Sequence, residues 1–130
     1  MKARTLLLVS VLFAAAEFAS AQDPVKLSPN FYKVLLENEQ VRVLDFRIKA
    51  GQKEPMHFHP AAVVYVLTAG KAKFIFPDGK SEIRESQAGT TLWSDAQTHA
   101  YEYLGPGDGH VLIIEMKNAS KPPAQNKKGK

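Results

Sequence analysis

The chain has 130 residues, one domain's worth, with 17 basic against 13 acidic side chains and a net charge of +4 at pH 7. It has no cysteine, which excludes a disulfide scaffold, a thiolate nucleophile, a zinc finger, an iron–sulfur site and a lipoprotein anchor. At 45% apolar and 23% charged it has the composition of a folded globular chain.

The first segment is read as a secretory signal peptide over residues 1–21. Lys2 and Arg4 precede an apolar run from Leu6 to Ala16, and Ala19, Ser20 and Ala21 form a small-x-small cleavage pattern. A helix of that run rises about 16 Å, too short for a bilayer core of about 30 Å, so no membrane span is expected. An uncleaved interfacial anchor is the alternative. Cleavage after Ala21 leaves 109 residues, exported to the periplasm or secreted. Residues 22–30 are read as an N-terminal arm.

From Phe31 to Met116 short apolar runs alternate with turn residues, the pattern of an all-β chain. Phe31 to Leu36 is the first predicted strand, and Glu37 to Glu39 a turn. From Val41 to Lys49, Leu44, Phe46 and Ile48 share one face, while Asp45, Arg47 and Lys49 share the other. Met56 to His59 is short and extended, and Val63 to Leu67 is a continuous apolar run suited to a buried strand. Lys71 to Phe76 and Ser81 to Arg84 flank a Pro77 to Lys80 turn as a hairpin. Leu92 to Ser94, His99 to Leu104 and Val111 to Met116 complete about nine strands, with no helical period. So many strands leave no exposed edges only if they close into a barrel or pack as two sheets. A jelly-roll barrel over 31–116 is expected, and an immunoglobulin-like sandwich lacks its tryptophan and disulfide pattern.

The net charge is carried by the end of the chain. Residues 117–130 hold five lysines and no acid, whereas residues 23–116 hold 10 basic and 12 acidic side chains. Residues 117–130 are therefore read as a disordered, solvated, lysine-rich tail. A folded body without a basic, aromatic-laced stripe predicts no nucleic-acid partner.

His57 and His59 lie two apart in an extended segment, so both imidazoles share one face. Two neutral imidazoles on a rigid strand are half of a transition-metal site. His99 is the third candidate, and it shares a strand face with Tyr101 and Tyr103. The tyrosines are either the wall of a cavity, with Tyr101 and Tyr103 as candidate catalytic donors, or core side chains whose hydroxyls find partners. His110, after the glycine-rich loop Gly105 to Gly109, is read as a surface histidine. Gln52 and Glu54, which precede the histidine pair, are read as solvated loop residues, with groups at the rim that support the ligands as the alternative. Trp93 is read as core. The glycines of the loop have no following helix, so no dinucleotide site is implied.

Gly51, His57, His59 and Gly70 resemble the first motif of the cupin superfamily, G-x5-H-x-H-x3,4-E-x6-G. Gly89 followed by His99 resembles the second. The resemblance covers residues 41–116 and implies a single-domain cupin jelly roll. In that family two histidines and a glutamate of the first motif and the histidine of the second bind a metal. Here the glutamate position falls on Val63, the proline of the second motif on Asp95 and its asparagine on Tyr103. The resemblance therefore carries over only His57, His59 and His99 as metal ligands, with Val63 beside them and Tyr101 and Tyr103 as the nearest aromatic lining. Three-histidine sites of this kind are similar to those of thiol dioxygenases and some diketone- or ring-cleaving dioxygenases. The expected cofactor is one divalent transition metal: iron, zinc, manganese, copper or nickel. The expected partner is a small anionic organic molecule, as substrate of an oxygenase-type enzyme or as the ligand of a non-catalytic binding module. Some barrels that look similar pair through their sheets, so a homodimer is expected.

Overall fold

The computed structural model describes residues 22–117. The expected signal peptide and all of the expected tail except Lys117 lie outside the described residues. Among these residues nine strands follow one short helix: α1 (Pro24–Leu27), β1 (Tyr32–Glu37), β2 (Val41–Lys49), β3 (Lys53–His59), β4 (Ala62–Val66), β5 (Gly70–Ile75), β6 (Ser81–Ser86), β7 (Thr91–Ser94), β8 (Gln97–Gly105) and β9 (Asp108–Met116). They form a five-stranded sheet in the order β1-β2-β9-β4-β7 and a four-stranded sheet in the order β3-β8-β5-β6. All pairings are antiparallel.

The turns form for reasons written in their residues. Asn38 folds its side chain back so that Oδ1 accepts from the amides of Gln40 and Val41, which reverses the chain between β1 and β2. Asp78 does the same for Lys80, and Gly79 takes the positive φ of 83° that closes the β5–β6 hairpin. Gly70 answers a packing demand. A Cβ there would collide with the ring and hydroxyl of Tyr103, so only glycine lets the start of β5 lie against β8.

The alternation in β2 holds: Leu44, Phe46 and Ile48 are buried. With Tyr32, Ala62, Ala72, Tyr103 and Ile113 they form the core between the sheets. In the arm, Asp23 caps α1 by accepting from the Val25 amide and Pro24 opens its first turn. One expectation fails. Trp93 is not core: on edge strand β7 it is 59% exposed, and its indole N–H donates to Asp95.

Candidate metal site

β3 and β8 are neighbours in the four-stranded sheet, and their register sets His57 directly opposite His99. His59 lies two residues on, on the same face. The three rings stand with centroids 4.9 Å (His57–His59), 4.6 Å (His57–His99) and 5.7 Å (His59–His99) apart. One nitrogen from each lies within 4.8 Å of the others, and all three side chains are buried. Nitrogens sharing one ion at roughly 2.1 Å in a facial set stand about 3 Å apart, so modest ring rotations complete the set.

Two of the rings have their tautomer set by a neighbour. His57 Nδ1 donates to the Pro55 carbonyl at 2.8 Å, which leaves the Nε2 lone pair free. His59 Nδ1 donates to Glu115 Oε1 at 2.7 Å. Carboxylate or carbonyl acceptors of this kind orient metal-binding imidazoles and raise their basicity. His57 Nε2 and His99 Nδ1 are buried without a hydrogen-bond partner. Buried lone pairs left unpaired are costly, and a metal ion is one group that satisfies them. Burial, reinforced by the neighbouring imidazoles, pulls His57 down to about 4 and His99 to about 3. Both are thus neutral, metal-competent ligands at pH 7. The residues present fit a divalent transition metal.

Glu115 is held in turn. It is 1% exposed, and its Oε2 accepts from Arg42 Nε at 2.6 Å. Arg42 donates its other two nitrogens to the two carboxylate oxygens of Asp23, at 3.0 and 3.1 Å. Burial favours the neutral form of Glu115, but the hydrogen bonds from His59 and Arg42 outweigh it and hold the carboxyl below its usual range. A fixed carboxylate thus stands behind His59, anchored across β2 and β9 to the arm.

The triad opens onto a cavity of about 740 Å³ between the sheets, lined by Tyr32, Glu54, Val64, Phe74, Arg84 and Tyr101 among others. The placement of five residues corrects the sequence reading. Val63 is not part of the cavity wall; its neighbours Ala62, Val64 and Val66 are, because β4 turns alternate residues inward. Tyr101 and Tyr103 are not the nearest aromatics. Phe74 lies 5.0 Å from the His99 ring and Tyr32 6.2 Å from that of His59, against 6.5 Å for Tyr101 from His99. Tyr103 also reaches the wall, but its hydroxyl donates to the Pro106 carbonyl. Burial raises Tyr101 well above the usual phenol range, so it stays a proton donor. His110 is half-buried rather than on the surface, with Nε2 2.6 Å from Asp45 Oδ1. Glu54 is not a solvated loop residue: it lies in β3, 4% exposed, and its Oε2 accepts from the Tyr32 hydroxyl at 3.2 Å.

Glu115 is the functional candidate that sequence reasoning missed, and Glu54 the one it placed at the rim rather than inside. For Glu115 a signal existed: a lone acid in the apolar strand Val111 to Met116, two residues from buried Ile113 and so on its inward face.

No family model matches the chain, and no curated protein matches it. Solved structures do. A cupin domain protein from Bordetella pertussis Tohama I aligns at 24% identity over 66% of this chain and 91% of that one, with a TM-score of 0.61. An RmlC-like cupin family protein with a double-stranded β-helix fold, from Methanocaldococcus jannaschii, aligns at 10% identity over 65% of this chain and 77% of that one, TM-score 0.53. An uncharacterized conserved protein with a double-stranded β-helix domain from Klebsiella pneumoniae aligns at 24% identity over 68% and 77%, TM-score 0.52. What the three share with this chain is the fold.

Proposed function

With the cupin double-stranded β-helix as premise, we propose that this chain binds one divalent transition metal through His57, His59 and His99 and presents it to a small anionic organic ligand in the cavity. The observation that carries this reading is the convergence of three buried imidazoles, two of them oriented through Nδ1. Three neutral donors leave a divalent ion its full charge, which favours an anionic, bidentate ligand. When bound, the ion supplies Lewis acidity toward the ligand's oxygens. The chain supplies the rest. Glu115 keeps His59 in place, the apolar wall of Val64, Val66 and Phe74 limits water, and Tyr101 offers an O–H to a developing oxyanion. Zinc, iron, manganese, copper and nickel all suit the donor set in some degree.

The test is metal analysis of protein purified from its own compartment, followed by zinc titration. One equivalent per chain is expected. His99→Ala should abolish stoichiometric binding while the far-UV circular dichroism of the barrel persists. A wild-type protein that takes up no metal would refute the reading.

Catalysis is favoured over storage by the cavity, far larger than an ion needs, and by proton-bearing groups in its wall. With a redox-active ion the same site suits oxygenase chemistry, which oxygen uptake with thiols, diketones and phenolics will reveal. Export is part of the proposal and rests on residues 1–21. Exported protein should begin at Gln22 on N-terminal sequencing.

A further inference from the structure

A regular strand turns every second side chain to one face. Glu54 precedes His57 by three residues, so regular geometry would point it away from the cavity. It lines the cavity nonetheless, because the β3–β8 register shifts between Glu54 and His57. Pro55, which has no N–H to lend to a ladder, lies inside that irregularity. Bulges of this kind re-aim side chains beside functional sites. Beyond the bulge Glu54 stands opposite Tyr101, and Tyr101 opposite Phe74. Glu54 and Tyr101 therefore make the rung next to the His57–His99 rung, about 7 Å along the strands.

The carboxyl is poorly stabilised as an anion. The polar groups acting on it are the hydroxyls of Tyr32 and Ser28, neither of them cationic. Its Oε1 is buried without a partner. A glutamine would fill this place without the cost of ionisation, which for a buried carboxylate is large. Burial outweighs the two hydroxyls and pushes Glu54 up to about 7, so at neutral pH it can both give and take a proton. The groups facing it are Tyr32 from β1, Ser28 from the end of α1 and Tyr101 from β8, with Glu115 of β9 acting on Tyr32 from beyond.

We propose that Glu54 is the acid–base residue of the cavity, moving a proton to and from the carbon beside the carbonyl of a small 2-oxo acid held at the histidine rung. This rests on the metal-binding reading above. The Glu54 carboxylate takes the proton and the C–H bond breaks. Its electron pair forms the carbon–carbon double bond, and the carbonyl π pair moves onto oxygen, which the Tyr101 O–H can meet. The reverse step returns the proton to carbon, and no oxidant or reductant is consumed. The substrate class follows from two features. The carboxylate and carbonyl oxygens form the anionic bidentate head that a divalent ion on three neutral donors favours. The acidic C–H lies just beyond that head, on the scale of one rung spacing.

The test uses the zinc-loaded full chain with pyruvate in D2O, followed by proton NMR, and oxalate as a probe that binds but has no C–H. Methyl exchange is expected in wild type, zinc-dependent, and about a hundredfold slower in Glu54→Gln, with zinc stoichiometry unchanged and oxalate bound at least as tightly, since the variant lacks the charge that opposes the anion. Oxalate titrations in two buffers of different ionisation enthalpy should show proton uptake near pH 7.5 in wild type and less in Glu54→Gln, because the anion's charge favours the protonated carboxyl. Glu54→Asp, which keeps an acid but withdraws it, should retain the proton uptake and slow the exchange; it also serves should the glutamine variant not fold. Exchange at the wild-type rate in these variants overturns the role of Glu54. So does wild-type protein that binds zinc and oxalate but neither exchanges protons nor takes one up. Failure of the wild type to bind zinc overturns the metal reading beneath it.

Discussion

Two buried glutamates stand in the same fold with opposite electrostatics. Glu115 has Arg42 and the His59 N–H on its two oxygens and stays below the usual carboxylate range. Glu54 has only hydroxyls, and burial carries it from 4.5 up to about 7. The difference has a consequence for stability. Between those two values the folded protein holds a proton on Glu54 that the unfolded chain has released. Folding is therefore weakened as pH rises from about 4.5 through about 7, and the loss is complete above that. A shift of this size corresponds to about 3 kcal/mol. Urea unfolding of the metal-free protein at pH 5.5, 6.5 and 8 should show Glu54→Gln gaining on wild type across the series. Glu115, present in both proteins, cancels from the comparison. A constant difference would mean that Glu54 titrates as an ordinary surface acid.

At the scale of strands, what was legible in the sequence was what obeys period two. The spacing of His57 and His59 put both on one face, and the β2 alternation identified Leu44, Phe46 and Ile48 as core. Where a strand breaks its period, the sequence reading went wrong. Glu54 turns inward because of the bulge at Pro55 and Met56, and the sequence reading began that strand only at Met56. Trp93 was mistaken for core because edge strand β7 has no outer layer to bury it. In β4 the continuous run Val63 to Leu67 has no period of its own, so motif spacing alone assigned the ligand position, and it chose the wrong neighbour. Val63, absent from the cavity wall, pairs with Trp93 and Ile114, whereas Val64, which lines it, pairs with Ile113 of the core. A one-residue slip reverses every side chain of a strand. The two valines therefore make a matched experiment. Val64→Glu puts a carboxylate on the cavity wall and should tighten zinc binding about tenfold, roughly 1.4 kcal/mol, as an anionic ligand joins three neutral ones. Val63→Glu should leave the affinity as it is. Competition titrations with a zinc chelator measure both, and tighter binding by the Val63 variant would show that the register is other than described.

At the scale of the whole molecule, the triad is tied to the far end of the chain. Asp23 in the arm grips Arg42 of β2, Arg42 grips Glu115 of β9, and Glu115 holds His59 of β3. Gln22 joins the same region, its carbonyl accepting from the Phe58 amide between the two histidines. The arm thus belongs to the framework of the candidate metal site although it contributes none of the three histidines. The lysine-rich end has no apolar residue pattern to bury. These two facts set opposite expectations for the two ends. A chain trimmed to Gln22–Asn118 should melt within a few degrees of the longer protein and keep its zinc stoichiometry, and loss of cooperative unfolding would show that residues beyond Asn118 are docked. Asp23→Ala should behave differently. It leaves Arg42 with one carboxylate instead of two and costs about 1 kcal/mol, the upper range for a pair that is largely but not fully withdrawn from water. Glu115→Gln removes the acceptor itself and should weaken zinc binding about 10- to 100-fold, the usual effect of losing a carboxylate behind a metal-binding histidine. Asp23→Ala should weaken it in the same direction by less, because Arg42 can still reach Glu115. Zinc titrations ranking wild type above Asp23→Ala above Glu115→Gln would establish the relay, and equal affinities for the first two would confine the arm's role to stability.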